Sequence, residues 1–307
     1  MVFAALGIGV VVGLTGMGGG ALMTPVLVLG FGISPLTAVS SDLITSAVMK
    51  PAGSIVHARY GTVHWRLVLW LMIGSVPAAF CGALIISAVG ELTGVQEFVK
   101  TALGAVLLLA AVLIGIRAFI GMRNRAQERR DGTSTKRSET AAVPVRIVPT
   151  LIVGVIGGLM VGLTSVGSGS FIIIALMMLY PLLSMNRLVG TDLVQAVPLV
   201  FAAAIGHLLF GDVHWEIVIP LIIGSVPGAI IGARFSSVLP SGIVRRALAL
   251  VLLAAGLRLL NVDITWTIAA VAVAFVIATF GWMGLRKANG LEPTWHQEHK
   301  NHPEENS

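Results

Sequence analysis

Between Met1 and Asp42 the chain carries no ionisable side chain, and apolar runs of similar character recur as far as residue 285. Stretches of about 20 apolar residues are long enough to cross a ~30 Å hydrocarbon core as helices. Barrel strands are excluded, because they would alternate polar and apolar residues. With 11% charged residues and 56% hydrophobic ones, the chain cannot cover a water-facing surface, for which roughly a quarter charged residues is usual. The fold class expected is an all-α polytopic membrane protein.

The uncharged amino-terminal stretch has no basic region ahead of it and reads as a retained span rather than a leader. Cys81 stands alone, so neither an internal disulfide nor a multi-thiolate metal site is expected. No cofactor and no metal are expected. Eight Lys/Arg between Arg117 and Arg146 face only Glu128, Asp131 and Glu139. That segment lacks the aromatic platforms or module of a nucleic-acid site, so no nucleic-acid partner is expected. It reads as a cytoplasmic loop held inside by its charge, against the lipid bilayer.

Displaced by 150 residues, the chain matches itself. Asp42–Ala83 and Asp192–Ala233 are identical at 19 of 42 positions, including "HARYGTVHW" over "HLLFGDVHW" and "IGSVPAAFCGA" over "IGSVPGAIIGA". Two homologous halves follow. Spans are expected at 2–31, 36–58, 67–89 and 98–118, then 148–180, 188–210, 216–237 and 242–260. A ninth span, 266–285, has no partner in the first half and is available for a homodimer contact. The division expected is a first repeat 1–120, a basic cytoplasmic linker 121–146, a second repeat 147–260, an extra span 261–287 and a polar tail 288–307. Four crossings per half make the repeats parallel and put the amino terminus inside; if one glycine-broken segment is a re-entrant hairpin, parity changes and they become inverted. Both transporter designs exist. The histidines His296, His299 and His302 of the tail have no fixed spacing for a metal.

Within the first expected span of each half lies a glycine-rich break, "GLTGMGGG" (13–20) and "GLTSVGSGS" (162–170). Irregular backbone at membrane depth survives only inside protein or beside a water-filled cavity. The N–H groups it frees at a half-helix start suit an anion. Candidate substrate-binding residues are therefore Thr15, Gly16, Gly18, Gly19 and Gly20, with Thr164, Ser165, Gly167, Ser168, Gly169 and Ser170. The competing reading is small-residue helix packing, for which the Gly16–Gly20 spacing is suited.

Asp42 and Asp192 sit at matched positions, each near the start of a span, where a carboxylate serves either as a helix cap or as a site. Their neighbours Ser41 and Thr191 join the candidates. Lys50, whose counterpart is Val200, is a mid-span cation that would offer charge to an anion or pair with Asp192. Pairing with Asp42 along one helix fails, since eight residues rise ~12 Å. His57 and His207 close matched spans and, with Asp42 and Asp192, are the candidates for proton coupling. His64–Trp65 and His214–Trp215 read as interface anchors, and Pro77 and Pro227 as kinks.

In this order, "GLTGMGGG" followed by Pro25, "SDL", "HARYGTVHW" and "IGSVPAAFCGA", each echoed in the second half, resemble the TauE/SafE sulfite-exporter family, also called the toluene-sulfonate uptake permeases. The resemblance spans roughly residues 5 to 260. It implies secondary transport of a small sulfur-containing anion (sulfite, sulfonate or sulfoacetate class) across the cytoplasmic (inner) membrane. The positions it carries over are Gly16, Gly18, Gly19, Gly20, Pro25, Gly167 and Gly169. Ser165, Ser168 and Ser170 depart from it, standing where more glycine is expected. No enzymatic activity is expected. A passive anion channel is the nearest alternative, and an intramembrane aspartyl protease using Asp42 and Asp192 a more distant one.

Overall fold

The structure is a computed structural model that describes residues 1–15, 19–59, 61–90, 94–130, 144–235 and 241–281. It is built of helices: α1 (Val2–Thr15), α2 (Gly20–Pro25) running on as a wide π-turn over Val26–Gly30, α3 (Pro35–Arg59), α4 (Trp65–Gly90), α5 (Val95–Arg130), α6 (Ile147–Thr164), α7 (Phe171–Leu179), α8 (Met185–Phe210), α9 (Trp215–Phe235), α10 (Ser241–Leu259) and α11 (Ile264–Val276), the last again continued by a π-turn to Gly281. The widening after Pro25 has a local cause: proline lacks the N–H of the i→i−4 bond and crowds the preceding carbonyl.

Among the described residues five helices are long and apolar enough to cross a membrane: Trp65–Val89, Val95–Ile120, Ile147–Thr164, Arg187–Phe210 and Trp215–Phe235. Their large side chains are displayed outward, as with Val112, Ile152 and Ile219. That pattern fits lipid as the surrounding solvent, with no apolar penalty for exposure. α3 is equally long but carries Asp42, Lys50, His57 and Arg59, and it lies inside the bundle instead.

The stretches expected as single spans at 2–31 and 148–180 are each two helices. α7 has 9 residues, only ~14 Å of rise, and it returns to where α6 began. The Tyr180 hydroxyl accepts from the Arg146 backbone N–H at 2.9 Å and meets Thr150 Oγ1 at 2.6 Å. α6 and α7 therefore form a hairpin that enters and leaves on one side. α1 and α2 repeat the arrangement: Ala5 and Ile8 near the start of α1 pack with Leu27 and Ile33 beyond α2.

Helix directions follow from the contacts. α3 runs antiparallel to α8, with Ser40 against His207 at one end and His64 against Thr191 at the other. α5 runs antiparallel to α10, with Lys100 bonded to Asn261 and Gly104 against Gly256. The hairpins are exchanged between halves. α1 lies along α9 in parallel, Leu6 and Val10 meeting Gly228 and Gly232, while α6 lies along α4, Gly158 and Gly162 meeting Ser75 and Ala79. A Cβ on Gly158 or Gly162 would come within 2.3 Å and 2.2 Å of a carbonyl oxygen, so these seams need glycine for close backbone approach.

The bundle consequently has two unlike ends. The ends of α3 and α9 and the starts of α4, α6 and α8 gather Arg59, Arg66, Arg146, Arg187 and Arg234 on one side. The other carries Glu97, Asp212, Glu216 and Asp263, against Lys100 and Arg258. α5 carries its helix through the first part of the expected linker to Arg130. Residues 131–143 of the linker and the tail histidines lie outside the described residues. α11 packs on α10.

Candidate functional site

Asp42, Ser46 and Lys50 recur every four residues on α3 and so share one face. Neither carboxylate is a cap: Asp42 and Asp192 are each the eighth residue of their helix, and α8 is capped by Ser184 instead. The polar face of α3 meets the tips of both hairpins halfway along the helix. From the first hairpin, Gly19 sits close to Met49, Ser46 and Asp42, a Cβ there reaching to 3.1 Å of Met49 Cε. From the second, Ser165 touches Gly20 of the first so closely that a Cβ on Gly20 would lie 2.0 Å from the Ser165 carbonyl oxygen. The two glycine breaks thus converge on one place.

The loop between α6 and α7 has the backbone that glycine permits. Ser165 ends α6 in the left-handed region at φ 61°, and Gly167 and Gly169 follow at φ 143° and 83°. All of residues 164–170 are buried. Thr164 shapes the turn, donating to the Met160 carbonyl at 2.6 Å and accepting from the Val166 N–H at 3.2 Å. The Ser170 carbonyl accepts from the Ile174 N–H at the start of α7.

Three charged groups meet here, all almost wholly buried: Asp42 and Asp192 at 1% exposure and Lys50 at 7%. Asp42 accepts from Ser165 Oγ at 2.5 Å and Thr24 Oγ1 at 3.0 Å on one oxygen, and from Ser46 Oγ at 3.4 Å on the other. It therefore binds α2, its own helix and the second hairpin at once. Lys50 Nζ donates to Ser168 Oγ at 2.7 Å and forms no ion pair within 4 Å with either carboxylate. Both carboxylates lie within electrostatic range of it. Asp192 accepts from Gln195 Nε2 at 3.0 Å, and the Gln195 carbonyl oxygen is fixed by Ser75 Oγ at 3.2 Å. The Gly169 backbone and the buried Arg117 also act on Asp192.

Other candidates fall elsewhere. His207 is fully buried with both nitrogens occupied, by Ser40 Oγ at 2.8 Å and the Gly162 carbonyl at 2.8 Å. A carbonyl only accepts, so Nε2 carries the proton there. Thr191 donates to the Arg187 carbonyl and accepts from the His64 N–H at 3.0 Å, tying the loop before α4 to the start of α8. Ser41 Oγ is buried with no hydrogen-bond partner. Thr15 closes α1, and its side chain, that of His57, and Gly16 and Gly18 lie outside the described residues. Gln195, Ser75, Thr24, Ser46 and Arg117 were not among the sequence candidates. Gln195 and Ser46 share a helix face with the matched aspartates, three and four residues on, which is the signal that points to them.

The ends of the bundle differ in chemistry as well as charge. On the basic side, burial first, and then the Arg187 and Arg66 charges, hold the His64 imidazole below the ordinary histidine value against an opposing backbone hydrogen bond. On the acidic side, His214 pairs with Asp212 at 3.2 Å and Thr37 donates to the same Asp212.

A family model described as sulfite exporter TauE/SafE matches residues 1–259. The chain belongs to the TauE/SafE family. It is 35% identical over 261 residues to a probable membrane transporter protein of Bacillus subtilis, YjnA, an alignment covering 85% of this chain and 98% of that one. A second probable membrane transporter protein of the same organism, YdhB, is 30% identical over 255 residues, covering 82% and 96%. No solved structure matches. The TauE/SafE membership and these relatives make membrane transport the role of the chain, and its glycine-broken hairpins belong to a transporter.

Proposed function

We propose that this TauE/SafE protein is a secondary transporter that moves a small sulfur-containing anion, of the sulfite, sulfonate or sulfoacetate class, across the cytoplasmic membrane with proton coupling. One observation carries the reading: a buried lysine between two buried carboxylates, hydrogen-bonded among the described residues only to a serine in the opposing glycine-broken loop. Ionisable groups at membrane depth are costly and mark transport pathways. The anion binds at Lys50, with Ser168 and the backbone around Gly19 and Gly169 as donors.

Charge balance motivates the proton. Lys50 and Arg117 formally offset Asp42 and Asp192, so an entering anion leaves one buried charge uncompensated, at a cost of several kcal/mol. Proton uptake at a carboxylate cancels it. Asp42 suits this better than Asp192. Its three partners are hydroxyls that can rotate and accept as well as donate, while Asp192 faces an amide NH2 that only donates. Protonation weakens charge-assisted bonds, which are roughly twice as strong as neutral ones. Thr24 and Ser165 bind Asp42 from separate hairpins, so its proton would loosen both tips together and let the halves rock.

The antiparallel α3–α8 and α5–α10 pairs support inverted repeats, each made of a re-entrant hairpin followed by three spans. The basic end then faces the cytoplasm by the positive-inside tendency. The test is labelled sulfite flux in proteoliposomes, with sulfate, taurine and sulfoacetate as competitors and with or without a pH gradient. Saturable flux that accelerates with the gradient is expected. Flux without saturation or coupling would make the protein a channel, and absence of flux for every anion would overturn the sulfur-anion assignment.

A further inference from the structure

At the basic end an apolar groove of about 310 Å³ opens between α3, α4 and α8, lined by Ile55 and Ala58, Trp65 and Val68, and Val194 and Pro198 among others. It faces outward, where a bilayer would lie: Ile55 is 52% and Trp65 61% exposed. Arg187, Thr191, Val194 and Pro198 recur at helical spacing and form one stripe of α8, so Arg187 stands at the head of the groove. His64 and Arg66 flank Trp65 on the other side, and Arg59 follows Ala58 by one residue. The Thr191 hydroxyl links His64 to the first turn of α8 at 3.0 Å. Arg187 is unusual in having Nε and Nη1 buried with no hydrogen-bond partner, although the residue keeps an exposed edge. A guanidinium desolvated in this way is costly, and an anionic group beside it offsets that cost through its charge.

The duplication supplies a control. The positions matching Arg59, Arg66, Arg187 and Thr62 are Leu209, Glu216, Thr37 and Asp212. The mirrored face at the other end therefore keeps its Trp215 but has lost every cation and gained two acids. An amphiphile with an anionic head suits one end of the bundle and is repelled by the other.

We infer that the groove is a binding site for an anionic phospholipid, one acyl chain lying along α3 and α8 and the phosphate held by Arg187 with His64 and Arg66. Anionic lipid attracts interfacial basic residues, and tryptophan anchors at the same depth. The site is separate from the Lys50 cluster and does not depend on the transport reading.

The experiment is native mass spectrometry, with thermal unfolding, of the full chain in phosphatidylcholine nanodiscs to which phosphatidylglycerol is added. Retention of one phosphatidylglycerol per chain and a raised unfolding midpoint are expected, with sulfate alone giving neither. Arg187→Gln with Arg66→Gln should lower retention at least tenfold, and Glu216→Gln at the mirrored position should leave it unchanged. Ala58→Phe, which fills the groove without touching a charge, should lower retention as well and guards against a misfolded arginine variant. Equal retention of both lipids, retention unaffected by Ala58→Phe, or full displacement by sulfate would overturn the proposal, the last in favour of a site for free oxyanions.

Discussion

Asp42 and Asp192 hold the same place in two homologous stretches, yet their surroundings share almost nothing. Asp42 is held by three hydroxyls from three parts of the chain, and Asp192 by an amide whose orientation a fourth residue fixes. Lys50 stands where the second half has Val200, so one cation serves both carboxylates. The two stretches match in sequence, but the groups around their aspartates form two unlike walls. The first turns of α4 and α9 differ in the same way, with Arg66 at one end of the bundle and Glu216 at the other.

The largest effect is expected at the asymmetric lysine. Lys50→Met should lower the initial rate of anion uptake about 100-fold or more, since unpairing buried charges costs roughly 3–5 kcal/mol. Val200→Lys in that background should not restore it; recovery would show the two halves to be interchangeable after all.

The carboxylates come next. Asp42→Asn should slow transport by about tenfold, equivalent to ~1.4 kcal/mol, and flatten its pH profile, whereas Asp192→Asn should slow it and leave the profile's shape. Identical profiles from the two variants would erase the distinction between them. Thr24, Ser46 and Ser165 are the hydroxyls to replace if Asp42→Asn unfolds.

Smaller effects should appear in stability. Gly20→Ala drives a Cβ into the Ser165 carbonyl at 2.0 Å, while Gly7→Ala meets nothing within 4 Å. Overpacking of this kind costs typically ~1–3 kcal/mol, so the first should lower the unfolding midpoint by several degrees and the second should not. His207→Gln should destabilise by about 1–3 kcal/mol, the cost of stranding buried polar partners, with the pH dependence of flux intact. A flattened pH profile would instead return His207 to the proton path.

The smallest effect belongs to His64, whose value is depressed in the folded protein, chiefly by burial. A base with a lowered folded pKa binds fewer protons folded than unfolded, so stability rises with pH there. Its contribution is complete above the ordinary histidine value of about 6.5 and is lost as pH falls through the folded one. His64→Gln should remove that slope from unfolding midpoints measured on the acid side of neutrality.

Much of the site is legible in the residues. An intramembrane lysine, two matched aspartates and two glycine breaks stand out because each violates what lipid rewards. The packing glycines are equally legible in hindsight, since Gly154, Gly158 and Gly162, like Gly224, Gly228 and Gly232, recur every four residues. The glycine breaks are different, because runs of apolar residues on both sides of Gly16–Gly20 read alike whether the chain continues or turns back. Thr164, Ser165 and Thr191 were candidates by position, but only their partners separate turn shaping and loop tethering from contact with the charges. Gln195 and Ser46 required the face of a helix to be chosen first.

By itself the sequence determined the solvent, the duplication and the inventory of charges, because hydropathy and internal identity are properties of the chain read residue by residue. Tertiary structure decided that the first segment of each half folds back on itself, that each hairpin packs against the other half, and that the two hairpin tips meet at Asp42 and Lys50. The last two depend on contacts between residues more than a hundred positions apart, where close backbone approach at glycine and the satisfaction of buried polar groups choose among folds that local pattern leaves equal.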